Sequence, residues 1–125
     1  VDLLFLDIKH MDPEEHIRLT GVSNKAILEN ARRIVERRIP VVIRIPIVPG
    51  YNDSERNILS TAKFVAELRR VDMIELMPYH RLGQHKYVWL GRAYHLESLQ
   101  PPVREHLDNL GRLIMQHGLA VRIGG

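Results

Sequence analysis

The sequence predicts an α/β protein with a parallel sheet, and three observations predict it. Near-continuous apolar runs open near residues 2, 41 and 71: VDLLFLDIKH, VVIRIPIV and VDMIELMP. Strands buried on both faces of a parallel sheet read in this way. The first two runs are each followed by apolar residues at helical spacing, which is the rhythm of βα units joined by right-handed crossovers. Polar and charged residues then gather at the carboxyl ends of the runs, where ligand sites of such sheets lie. The 125 residues make one domain, 1–125. Three βα units fall short of a full (β/α)8 barrel, which takes about 250 residues, so they read as half of a barrel or of an open sheet.

The first strand ends on Asp7 and Lys9, which face the same way because side chains alternate along a strand. The plainer reading of that pair is a weak ion pair where the strand meets water. The sharper one is a ligand site. Asp12-Pro13-Glu14-Glu15 then supplies an N-cap, a Pro at the first helical position and an acid three residues after the cap. That helix stops at Gly21. Ser23 or Asn24 caps the next, where Ile27, Ala31, Ile34 and Val35 recur and the helix runs to about Arg38.

The second strand, 41–48, places Val41, Ile43, Ile45 and Ile47 on one face and Val42, Arg44, Pro46 and Val48 on the other. Arg44 within such a run needs a partner, since an unpaired buried charge is expensive. Pro46 lacks a ladder donor and limits pairing near that end. Pro49 to Asp53 is a turn, Asn52 or Asp53 caps the following helix, and Ile58, Ala62, Val65 and Leu68 line its apolar side. In the third strand, 71–78, Ile74, Leu76, Pro78 and then His80 share one face and Met73, Glu75 and Met77 the other. The polar loop YHRLGQHKYVWLG follows, with Gly83 and Gly91 as hinges. Pro101-Pro102 opens the last helix, with Val103, Leu107, Leu110 and Ile114 on one stripe and Gly118 at its end. LAVRI, 119–123, is a short strand or a tail.

Composition removes several function classes. A hydrophobic share of 45% and a charged share of 26% are ordinary for a soluble globular chain. The net charge of +3 is dispersed. The densest basic run, Arg32, Arg33, Arg37 and Arg38, reads as a solvated helix face, so no nucleic-acid partner is expected. No cysteine is present, which excludes disulfides, thiol catalysis and any iron–sulfur cluster held by thiolates of this chain. No apolar run reaches membrane-spanning length and no signal peptide is visible, so no membrane partner is expected. The chain opens on Val1 already inside a strand, which suggests a piece of a longer protein.

The strand ends bring together Asp7 and Lys9, Pro46 to Gly50, and Pro78 to Arg81; the loop adds His85 and Lys86. Lys9 suits a hydroxyl or carboxylate as a point charge. Asp7 suits a ribose hydroxyl or a cation. His80 suits a ligand hydrogen bond or acid–base work. His80 and His85 lack a third ligand at zinc spacing. Tyr87 and Trp89 beside Lys86 suit a peptide partner or a cover for the barrel. No Walker motif, GxGxxG or nucleophile elbow occurs. The residues alone stop at an α/β ligand site with its chemistry open.

LLFLDIKHMDPEEHIRLTGVSN, IRIPIVPGYND and PYHRLGQHKY, in that order and spacing, resemble the glycyl-radical enzyme activating proteins, a family of radical S-adenosylmethionine (SAM) enzymes. The likeness continues through YHLESLQPP into the last helix. It implies the carboxyl-terminal half of a partial (β/α)6 barrel, parallel strands with helices outside. It implies SAM as cofactor, and a 4Fe–4S cluster in the parent protein, bound by a CxxxCxxC loop. That loop and the family's Gly-Gly-Glu motif are missing here, so the chain by itself is expected to be inactive. The chemistry implied is reductive cleavage of SAM to a 5′-deoxyadenosyl radical. That radical takes a hydrogen from a glycine of a glycyl-radical enzyme of the pyruvate formate-lyase type. A flavodoxin or ferredoxin-type reductant and a cytoplasmic location come with the likeness.

Carried onto these residues, the resemblance puts Asp7 and Lys9 beside the SAM ribose and carboxylate, with Asp7 also in a monovalent-cation site. Arg44 and Pro46 lie on the strand by the adenine, and His80 lies against SAM. Arg81, Gly83, His85, Lys86 and Tyr87 fall in the loop that contacts the partner. Two other readings compete: a non-catalytic remnant that binds SAM or the glycyl-radical partner, and an unrelated barrel piece handling sugar phosphates. The lack of a Gly-rich phosphate loop counts against the latter.

Overall fold

A computed structural model describes residues 4–37, 39–78 and 102–124. In chain order these form β1 (Leu4–Asp7), α1 (Pro13–Thr20), α2 (Lys25–Val35), β2 (Val41–Ile47), α3 (Glu55–Leu68), β3 (Val71–Pro78), α4 (Arg104–Met115) and β4 (Val121–Ile123). All four strands are parallel, in the order β1-β2-β3-β4. An order that never reverses, with crossovers of one hand, sends the helices to one side of the sheet. That is the winding of a barrel wall, and it decides between the two alternatives the sequence leaves open.

The apolar alternation decides which side the helices take. Val41, Ile43, Ile45 and Ile47 of β2 and Ile74 and Leu76 of β3 form one buried cluster. With them pack Ala31 and Val35 of α2, Ile58, Ala62 and Val65 of α3, and Leu107, Leu110 and Ile114 of α4. Each fully buried Ile or Leu contributes about 1.5–3 kcal/mol of transfer free energy. The opposite face of the sheet is the concave one, toward a barrel interior. Among the described residues no helix is long and apolar enough to cross a membrane.

Local chemistry explains most element ends. Asp12 Oδ1 accepts from the N–H groups of Glu14 and Glu15 at 2.9 and 3.2 Å. The Glu15 N–H leads in holding the Asp12 carboxyl below its ordinary range. Gly21, at φ 86°, closes α1 in a left-handed conformation that costs glycine little. Pro46 falls where its missing donor is harmless. Arg44 O accepts the Ile8 N–H, so the backbone groups of residue 46, two along, face the β1 side beyond the end of β1.

Three expectations are corrected and one open alternative is resolved. Helix α2 ends at Val35 rather than near Arg38. Its last turn tightens, Arg37 N–H bonding Ile34 O, and Pro40 disfavours helix in the residue before it. Ser54, not Asn52 or Asp53, caps α3, its Oγ accepting the Asn57 N–H at 3.1 Å. The two residues expected there are committed to other contacts. Val103 is the N-cap of α4, extended and 66% exposed, so it sits outside the buried stripe. Of strand or tail, 119–123 resolves as a strand, with Val121–Ile123 paired to β3.

Candidate functional site

The parallel register lines up a row of alternating charge. Asp7 lies beside Arg44, Arg44 beside Glu75, and Glu75 beside Arg122. Side chains of register partners project to the same face, so the row crosses the concave side. Arg44 has the partner its position demanded: its Nε donates to Glu75 Oε1 at 3.0 Å. Glu75 Oε2 accepts from Arg122 Nε at 2.8 Å, and Arg122 Nη2 stands at 2.8 Å from the same oxygen in the ion pair. The Glu75 side chain is only 8% exposed. On the side toward β1, the Arg44 guanidinium carbon stands 3.8 Å from the centroid of the Phe5 ring. Among the described residues the terminal nitrogens of Arg44 and the carboxylate of Asp7 take no hydrogen bond.

At the carboxyl rim, buried asparagines hold the loops. Asn52, 1% exposed, donates from Nδ2 to Lys9 O at 3.0 Å and Pro46 O at 2.6 Å and accepts the Val48 N–H at 2.8 Å. One side chain thereby ties the end of β1 to the end of β2. Asn57 accepts the Met11 N–H and donates to Asn52 O. Asn24 donates to His10 O and Met11 O. The sequence offers Ser23 or Asn24, and Asn52 or Asp53, as caps. Asn24 does occupy the N-cap position of α2, but its side chain makes no cap bond there, and Asn52 does not cap α3. Their cross-chain role leaves no local pattern. The available signal was an excess of Asn over what the caps need.

Lys9 and Asp7 are both half-buried. Burial pushes the Lys9 ammonium below its ordinary pKa, and the Asp7 carboxylate partly opposes that. His10 is buried, and its Nδ1 accepts the Asp12 N–H at 3.0 Å. Burial pushes its pKa down, His16 adds to this, and Glu15 and Asp12 oppose it. The expectations for His80, Arg81, Gly83, His85, Lys86, Tyr87 and Trp89 lie outside the described residues. Among the described residues no three His, Cys, Asp or Glu side chains converge to hold a metal ion.

What the arrangement can bind follows from its donors. Half-buried Lys9 and the terminal nitrogens of Arg44, which take no hydrogen bond among the described residues, suit a carboxylate, with Asp7 beside them for a hydroxyl or a positive centre. A SAM-type ligand, an amino acid joined through a sulfonium to a nucleoside, fits that set. A thiolate-ligated cluster does not, because the chain has no cysteine.

No family model matches the chain. It is 46% identical over 101 residues to the pyruvate formate-lyase-activating enzyme of Staphylococcus aureus, covering 81% of this chain and 40% of that protein. The chain thus spans about two fifths of the length of the curated relatives it matches. A domain of pyruvate-formate lyase-activating enzyme from Bacteroides vulgatus superposes with a TM-score of 0.80 at 34% identity, covering 99% of this chain and 68% of that one. Streptococcus suis SuiB, solved bound to precursor peptide SuiA, superposes with a TM-score of 0.70 at 15% identity, over 98% of this chain and 26% of that one. That last likeness shows the fold alone. With the parallel βα architecture and these identities beside it, the chain belongs to the pyruvate formate-lyase activating enzymes, within the glycyl-radical activating branch of the radical SAM proteins.

Proposed function

We propose that the protein carrying this chain installs a glycyl radical on a partner enzyme of the pyruvate formate-lyase type by reductive cleavage of SAM. This chain is the carboxyl-terminal part of its barrel and supplies part of the SAM site. The supporting observation is the meeting of Asp7 and Arg44 on the concave face, with Lys9 at the rim that Asn52 locks. Lys9 and Arg44 hold the SAM carboxylate; for Arg44 this replaces the adenine side that the resemblance implies, because its guanidinium lies over Phe5 on the β1 side, beside Asp7. Asp7 takes a ribose hydroxyl or joins a monovalent-cation site. Pro46 lines the wall near the adenine, and His80 lies against SAM. Bound SAM supplies the radical chemistry; the residues of this chain orient it and, with a partner loop closing the barrel, exclude water from it.

The cluster's thiolates come from outside these residues, and no role in ligating it falls to this chain. Arg81, Gly83, His85, Lys86 and Tyr87 form the docking loop, whose basic character suits steering toward another protein. A flavodoxin or ferredoxin-type reductant and a cytoplasmic setting complete the reading. The absence of cysteine favours a second reading, a unit that binds SAM or the partner without doing chemistry. The test is SAM binding by the whole protein without reductant. Lys9→Ala and Arg44→Ala are each expected to raise Kd about tenfold, the worth of one charge-assisted contact. An unchanged Kd in both overturns the assignment of the site.

A further inference from the structure

We propose that Glu75 is a positioning residue of the concave site: braced by Arg122, it fixes the Arg44 guanidinium over Phe5 so that the terminal nitrogens meet the carboxylate of the ligand already oriented. This rests on the SAM reading above and assigns a role to residues outside the ligand's reach. A buried carboxylate is expensive unless paired, and one arginine would suffice to pair it. Glu75 has two, one per oxygen. Pairing with Glu75 alone therefore leaves the trio one positive charge over, and Asp7 beside Arg44 offsets it on the β1 side until a ligand carboxylate arrives.

The geometry of the bond matters as much as the charge. Glu75 engages Arg44 at Nε, at 3.0 Å. It leaves the outer fork, the part that matches a carboxylate bidentately, without a partner among the described residues. Phe5 limits the remaining freedom, because the guanidinium lies 3.8 Å from its ring centroid. An arginine held between a ring and a carboxylate has lost its rotamer freedom before the ligand arrives, so binding does not have to supply that ordering. The chain closes behind Glu75 as well: a Cβ on Gly124 would stand 3.2 Å from its Cδ and Oε2.

The experiment compares two ligands on the whole protein, with the cluster intact by absorbance. One is SAM; the other is decarboxylated SAM, which keeps the sulfonium and the nucleoside. Glu75→Gln keeps the shape and one acceptor oxygen but removes the charge that aims Arg44. It is expected to weaken SAM binding about tenfold and leave decarboxylated SAM unchanged, with Glu75→Asp recovering part of the loss. Arg122→Gln, at a side chain 52% exposed, is expected to cost about threefold for SAM alone. It carries the same comparison should Glu75→Gln fail to fold. Equal weakening of both ligands means a merely structural role and overturns the inference, as does unchanged SAM binding in Glu75→Gln. Failure of the unaltered protein to bind SAM overturns the SAM reading and the inference with it.

Discussion

On the helix side of β2, Val41, Ile43, Ile45 and Ile47 are all shut away from solvent, whereas the other side of the same strand carries Arg44, half-exposed between Phe5 and Glu75. One step along the backbone separates a residue spent on stability from one that we propose meets a ligand. The two faces obey different rules. The helix side is held by area removed from water, which sums over many side chains. The concave side is held by a charged row whose desolvation largely offsets its attraction, so its net worth to the fold is small. A face that must receive a ligand cannot be sealed. Paired charges keep it ordered while leaving some of it available.

The division can be broken first where the effect is largest. Ile43→Ala opens a cavity in the apolar cluster between the sheet and the helices, at a fully buried position. The expected loss is about 3 kcal/mol of unfolding free energy, measured by urea denaturation. The folded fraction is expected to keep its SAM affinity. A drop in affinity as large as that in Arg44→Ala would show that the faces are coupled rather than divided.

The rim is where the faces meet, and there the comparison predicts a mixed result. Asn52→Ala strands the Val48 N–H and the carbonyls of Lys9 and Pro46. Leaving such groups buried without partners costs about 2 kcal/mol. Because the Lys9 backbone is released as well, SAM affinity is expected to fall together with stability. Loss of stability with affinity intact would mean that Lys9 does not depend on this lock.

How much of this was readable beforehand depends on whether the cause was local. The three main strands, the period-two alternation, the Asp12 cap and the Gly21 stop all come from residues within a few positions of each other. Strand alternation also put Arg44 on the face away from the core and demanded a partner for it. That the partner is Glu75, itself held by Arg122, follows from register between strands, and the β2–β3 register shifts at Val41/Val42. No single-strand pattern encodes such a shift. The asparagine locks were hidden for the same reason, each joining segments far apart in sequence. Of the predicted ligand residues, Asp7, Lys9, Arg44 and Pro46 can be followed on the sheet, while His80 and the docking loop lie outside the described residues.

The smallest expected effect is the pH response of the rim, and His10 sets its sign. Its Nδ1 accepts the Asp12 N–H, so the folded state holds the neutral ring. Burial lowers its pKa in the fold, while the unfolded chain takes up a proton at about pH 6.5. Between those values the unfolded state binds more protons, so stability rises with pH and is lost as pH falls below about 6.5. The charged and titratable groups that act on the ring are Asp12 and Glu15, which favour protonation, and His16, which opposes it. His10→Asn keeps an acceptor and removes the titration. Unfolding free energies at about pH 7.5 and pH 5.5 should therefore differ less in His10→Asn than in the unaltered protein. An identical difference in both would assign the response to another group. His10 directly follows Lys9, and its own carbonyl is held by Asn24. Acid should therefore loosen the rim from the helix side and weaken SAM binding over the same range, without touching the charged row.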